Sequence, residues 1–133
     1  MTSVVGDTHS LIWYLMDDPR LSDAAARAFD EATAAGQRIY LPSICIVEAT
    51  YLLEKGRISE QAFSAFESAV ADPDSPIRLI ELTFEIAKAV REVSRAAIPD
   101  MPDRIIAATA IALGLPLITC DSMIRASGVK TIW

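Results

Sequence analysis

Short apolar runs alternate with amphipathic segments along the whole chain, and most of the amphipathic segments open on a helix-capping residue. A chain that switches repeatedly between strand and helix periodicity builds strand–helix–strand units. Their strands lie parallel, because each crossover returns the chain to the same edge of the sheet. We therefore expect an α/β fold: a three-layer sandwich with a mainly parallel, roughly five-stranded sheet flanked by helices. Strand signals lie at 4–6, 38–41, 77–82, 117–120 and 130–132. Helical signals lie at 8 to about 16, 23 to about 35, 43–55, 60 to about 71, 84 to about 96, 103–113 and 121 to about 126. Ser22, Ser59 and Thr83 are their N-caps, and Gly36, Gly56 and Gly114 their stops.

The chain has 133 residues, of which 52% are hydrophobic, which suits a single domain over 1–133 with one core. A chain of this size buries roughly 70% of its unfolded surface, so folding needs neither a disulfide nor a structural metal. No apolar run approaches the ~18 residues of a membrane span, and no signal peptide is evident, so a cytoplasmic protein without a membrane partner is expected. The two cysteines, Cys45 and Cys120, both lie in apolar runs and read as buried free thiols. A net charge of −6 argues against broad electrostatic binding of nucleic acid. It leaves open an enzyme of nucleic acid whose acids gather at a metal. Nine of the twelve basic residues are arginine, the side chain suited to bidentate phosphate contacts.

Four acids stand out. Asp7 ends the apolar run Val4-Val5-Gly6, and Asp121 follows Leu117-Ile118-Thr119-Cys120 in the same way. Each reads as a helix cap, and each also stands at a strand's carboxyl end, where the chemistry of open α/β sheets gathers. Asp103 precedes an alanine-rich segment and reads as a first-turn acid favourable to the helix dipole, with Asp100 an alternative acid in the same loop. Glu48 is harder to explain structurally. Its neighbours three and four residues away are Ile44, Cys45, Tyr51 and Leu52, so it sits in a largely apolar stripe. Burying its charge without a partner costs several kcal/mol.

A parallel sheet brings strand-end acids to one edge. Carboxylates about 5 Å apart repel by roughly 3 kcal/mol per pair at an effective dielectric of about 20. Such a cluster takes up protons or holds cations, and an all-oxygen donor set suits Mg²⁺ or Mn²⁺. We expect Asp7, Glu48 and Asp103 as the main ligands, with Asp121 a ligand or a group orienting water. Thr8 and Thr119 are candidate hydrogen-bond donors to phosphate or carboxylate. Arg104 is a candidate phosphate contact or the partner of an acid. His9, the only histidine, reads as packing or support rather than as a general base. Phe63, Phe66, Tyr51 and Leu52 are candidates for a partner-binding groove.

The ordered set of these segments resembles a known family. Asp7-Thr8-His9-Ser10-Leu11-Ile12-Trp13, with Asp18-Pro19-Arg20-Leu21-Ser22 behind it, is similar to the opening of PIN-domain proteins, and most of all to toxins of the VapC type. Pro42-Ser43-Ile44 with Glu48 and Lys55-Gly56-Arg57-Ile58 resembles their second block. Asp103 to Ala110, and Leu115 to Asp121, resemble the third and fourth. The resemblance implies a metal-dependent endoribonuclease with acids Asp7, Glu48, Asp103 and Asp121, the toxin of a type II toxin–antitoxin pair. It also implies an RNA substrate, a homodimer and neutralisation by a cognate antitoxin. The alternative is a catalytically silent module of the same fold that binds RNA or protein. A phosphatase with an aspartyl nucleophile fits less well, since no second aspartate stands two residues after Asp7.

Overall fold

The computed structural model describes residues 2–133. Five strands, β1 (Val4–Gly6), β2 (Ile39–Pro42), β3 (Ile77–Ile80), β4 (Leu117–Ile118) and β5 (Thr131–Ile132), form one sheet in the order β3-β2-β1-β4-β5. Every neighbouring pair is parallel, with Val5 opposite both Tyr40 and Leu117. The central strand β1 is buried at each of its positions, which is why it reads as an unbroken apolar run rather than an alternating one.

Helices α1 (Thr8–Leu15), α2 (Asp23–Ala34), α3 (Ile44–Glu54), α4 (Glu60–Ala71), α5 (Phe84–Ala89), α6 (Met101–Leu113) and α7 (Ser122–Arg125) complete the three-layer α/β sandwich. Helix α2 lies on β1, β2 and β5, while α1, α3, α4 and α6 pack among themselves. Leu11, Phe29, Ile39, Phe66, Ile106 and Leu117 are among the fully buried side chains of the core. Phe66 is therefore a core residue and not part of an exposed groove, whereas Tyr51 is 59% exposed. Among the described residues no helix is long and apolar enough to cross a membrane.

Where elements differ from expectation, hydrogen bonding explains the change. Strand β3 stops at Ile80 because its one sheet neighbour, β2, ends opposite it at Pro42; the Ser43 N–H then donates to the Ile80 carbonyl at 2.9 Å. The helix expected over 84–96 ends at Ala89 and tightens into a 3₁₀ turn, Val90–Glu92. Helix α6 begins two residues before Asp103, with Asp100 as its N-cap and Pro102 in its first turn. Both cysteines are free, but only Cys45 is buried. Strand β4 ends at Ile118, so Cys120 falls in the exposed turn beyond it.

Gly6 sets how closely α1 meets β1. A Cβ there would stand 2.5 Å from Leu11 Cγ, so only glycine lets the fully buried Leu11 fold back against the end of the strand.

Candidate active site

The parallel arrangement brings the carboxyl ends of β1 and β4 side by side. The Asp7 N–H donates to the Ile118 carbonyl at 3.2 Å, which places the residue after β1 against the end of β4. Asp7 then caps α1: its Oδ1 accepts from the Ser10 N–H at 3.0 Å, and its own N–H donates to Ser10 Oγ at 3.1 Å. The Ser10 hydroxyl, buried, donates to the Ile118 carbonyl at 2.9 Å and ties this turn to β4.

The remaining acids arrive from three other helices. Asp121 caps α7, its Oδ1 accepting from the Ile124 N–H at 2.9 Å. Asp100 caps α6, its Oδ2 accepting from the Asp103 N–H at 3.1 Å. Asp103 stands in the first turn of α6, and Glu48 in the middle of α3. Three helix N-termini thus converge, and their partial positive charge offsets part of the repulsion among the carboxylates.

Asp7, Glu48, Asp100, Asp103 and Asp121 all line one cavity of about 280 Å³, with Thr8, His9, Ile106 and Cys120 completing its wall. Among the described residues no lysine or arginine lines it. A larger cavity of about 420 Å³, lined by Ile111, Leu115 and Val129, contains a single acid, Glu92.

Two hydroxyls hold the acids in place. Thr8 Oγ1 donates to Glu48 Oε1 at 2.7 Å. Thr119, fully buried beneath the cavity, donates to Asp7 Oδ2 and accepts from the Asp121 N–H at 3.0 Å, so one side chain joins the two strand-end acids. All four expected acids and Thr8 face the same space, and Thr119 supports it from below. Arg104 does not join them. Its guanidinium is turned to the carbonyls of Val90 (3.0 Å) and Val93 (2.8 Å), pinning the 3₁₀ turn to α6.

The tightest grouping is Glu48, Asp100 and Asp103, which offer carboxylate oxygens all within 4.8 Å of one another. Asp100 stands in this grouping where Asp7 was expected; each Asp7 oxygen accepts one bond, from Ser10 and from Thr119, and retains further acceptor capacity. The sequence signal for Asp100 is Pro102: a proline fits a helix's first turn, which puts the start of α6 before it and the cap at Asp100.

The electrostatics follow from this crowding. Burial, then the charges of Asp100, Asp121, Glu48 and Asp7, push the Asp103 carboxyl up to about 7. Burial raises Glu48, offset by the Thr8 hydrogen bond and reinforced by Asp100 and Asp7. Burial also raises Asp7, against the stabilising bonds from Thr119 and Ser10. Oxygens sharing Mg²⁺ stand at most about 4.2 Å apart, so the span of the triad lies near what a hard divalent ion bridges, and its all-oxygen chemistry fits one.

The PIN domain profile matches residues 4–129. Ribonuclease VapC22 of Mycobacterium tuberculosis (strain ATCC 25618 / H37Rv) is 30% identical over 125 residues, covering 94% of this chain and 92% of its own length. Two solved structures share the fold: VapBC2 from Rickettsia felis bound to a DNA fragment from its promoter (TM-score 0.71, 16% identity, 99% of this chain and 100% of that one), and a toxin–antitoxin complex from Klebsiella pneumoniae (TM-score 0.68, 22% identity, 98% and 96%). By the reach of the profile and the full-length relative, the chain belongs to the PIN-domain family.

Proposed function

We propose that this protein is a Mg²⁺- or Mn²⁺-dependent endoribonuclease, acting as a single PIN-domain unit in the cytoplasm and serving as the toxin of a type II toxin–antitoxin pair. The observation that carries the reading is the convergence of five carboxylates, from both strand ends, α3 and α6, on one cavity with no lysine or arginine among the described residues of its wall. The full-length likeness to a ribonuclease supports the substrate class.

Glu48, Asp103 and Asp7, with Asp121 and the adjoining Asp100, would hold the ion. When bound, such an ion polarises a phosphate oxygen and lowers the pKa of a water. The chain's own groups prepare the site. Thr119 keeps Asp7 and Asp121 in fixed relation, Thr8 keeps Glu48 aimed into the cavity, and the three caps keep the helix N-termini facing it. Asp121 has Oδ1 committed to its cap and offers its other oxygen to orient water.

Cleavage of single-stranded RNA in Mg²⁺ or Mn²⁺ tests this reading, with Asp103→Asn as the matched variant. Loss of cleavage by orders of magnitude is expected in the variant and on chelation. Undiminished cleavage in either would overturn it. The structural neighbours include a toxin–antitoxin complex, which supports a cognate antitoxin as partner, expected to be encoded beside this gene as a small DNA-binding protein and to silence cleavage. Light scattering at micromolar concentration tests the homodimer.

A further inference from the structure

Both tryptophans of the chain and its only histidine lie in one ridge that leads out of the acidic cavity. His9 is exposed and forms part of the cavity wall. One helical turn on, Trp13 stands behind it, ring centroids 5.6 Å apart at 49°. Trp133 backs Trp13 at 5.9 Å and 56°. The Arg20 guanidinium lies over the Trp13 ring at 5.0 Å, held by its edge through bonds of 3.0 and 2.8 Å to Asp18. Trp13 and Trp133 are half-buried, so the ridge has a fixed base and one exposed ring at the tip, His9.

We propose that His9, propped by Trp13, is a base-stacking subsite for the nucleotide beside the scissile phosphate of single-stranded RNA. The ligand class rests on the ribonuclease reading; the subsite rests on the ridge. A chain of net charge −6, with no lysine or arginine among the described residues lining the cavity, gains little from phosphate attraction. Stacking does not depend on that attraction, because every base has a π-face and single-stranded RNA leaves its bases free. The position fits as well. His9 follows Asp7 and Thr8 directly, and these two side chains are committed to Thr119 and Glu48, so the ring is carried at the cavity's rim by the turn that builds its floor.

The ridge provides its own reporter, since all tryptophan fluorescence comes from Trp13 and Trp133. Titration of a short mixed-sequence single-stranded RNA into chelated wild-type protein is expected to quench that fluorescence to saturation. His9→Ala should weaken the affinity, and raise KM with kcat nearly unchanged, by roughly tenfold, the scale of one stacked base. His9→Phe keeps a ring, loses both nitrogens, and should restore both quantities. Unchanged affinity and KM in His9→Ala would overturn the subsite while leaving the nuclease intact. A fall in kcat that Phe does not restore would overturn it in favour of an acid–base role. RNA that quenches but is never cleaved in Mg²⁺ or Mn²⁺ would support the subsite and remove the nuclease reading.

Discussion

Thr8 Oγ1 donates to Glu48 Oε1 at 2.7 Å, joining the first turn of α1 to the middle of α3 across 40 positions of sequence. Thr8 is 3% exposed, so the bond is made at the buried base of the Glu48 side chain's surroundings. Thr8→Val keeps the shape and removes the donor. The Glu48 carboxylate then loses the bond that opposes its burial, and a half-buried charge is left less compensated. We expect a stability loss of about 1–3 kcal/mol in the metal-free protein. Divalent-ion affinity should fall roughly 10- to 100-fold, as when a ligand loses its support. Melting and calorimetric Mn²⁺ titration check both; an unchanged Mn²⁺ affinity would mean that α3 alone aims Glu48.

Glu48→Gln removes the charge itself. Asp100 and Asp7 both oppose ionisation at this position, and burial opposes it more strongly. The metal-free variant should melt at or above the wild-type temperature, while cleavage of single-stranded RNA falls by orders of magnitude. A variant that is destabilised yet active would show that Glu48 is part of a structural pair and not of the reacting centre.

Asp103 sets a pH dependence. Its folded-state value of about 7 lies above the ordinary 3.8, so between these limits the folded chain keeps a proton that the unfolded chain has released. Stability from this group is full below the lower limit and is lost as pH rises through the upper one. Glu48 and Asp7, also raised, act in the same direction. The chelated protein should therefore lose melting temperature between about pH 4 and about pH 7, and Asp103→Asn should lose less. Saturating Mn²⁺ should flatten the wild-type curve, because the ion binds the deprotonated carboxylates and so stabilises most at the higher pH, by roughly 2.7 kcal/mol at about 100 times its Kd. An identical pH slope in wild type and Asp103→Asn would count against the coupling.

Gly6→Ala tests the floor of the site. The added methyl would meet the Leu11 side chain at 2.5 to 2.9 Å, and Leu11 is fully buried. Overpacking of this kind costs about 1–3 kcal/mol. Denaturant melting should show that loss, and a midpoint equal to wild type would mean that α1 shifts without penalty.

The alternation of apolar runs and capped helices made the parallel sheet legible, because period and capping are local properties. Ser22, Ser59 and Thr83 accept the backbone bonds expected of them. Glu48 was legible as an anomaly, an acid in a largely apolar stripe, and it stands half-buried in the cavity wall. Asp7 and Asp121 were legible as strand-end acids, because parallel strands share one edge.

What the tertiary structure alone decided is which polar atoms meet across the chain. Thr119 bonding Asp7 and Arg104 bonding Val90 and Val93 join residues 112, 14 and 11 positions apart, and no periodicity encodes such pairs. Cys120 was misjudged from its apolar neighbours because burial depends on where a strand ends, and β4 ends two residues earlier. Trp13 meets Trp133 only because β5 pairs with β4 beside β1 and brings the chain's last residue up to α1. Sequence determines what each segment prefers to be. The packing of the sheet determines which segments become neighbours, since long-range contacts are chosen by the burial of the whole core rather than by any one stretch of it.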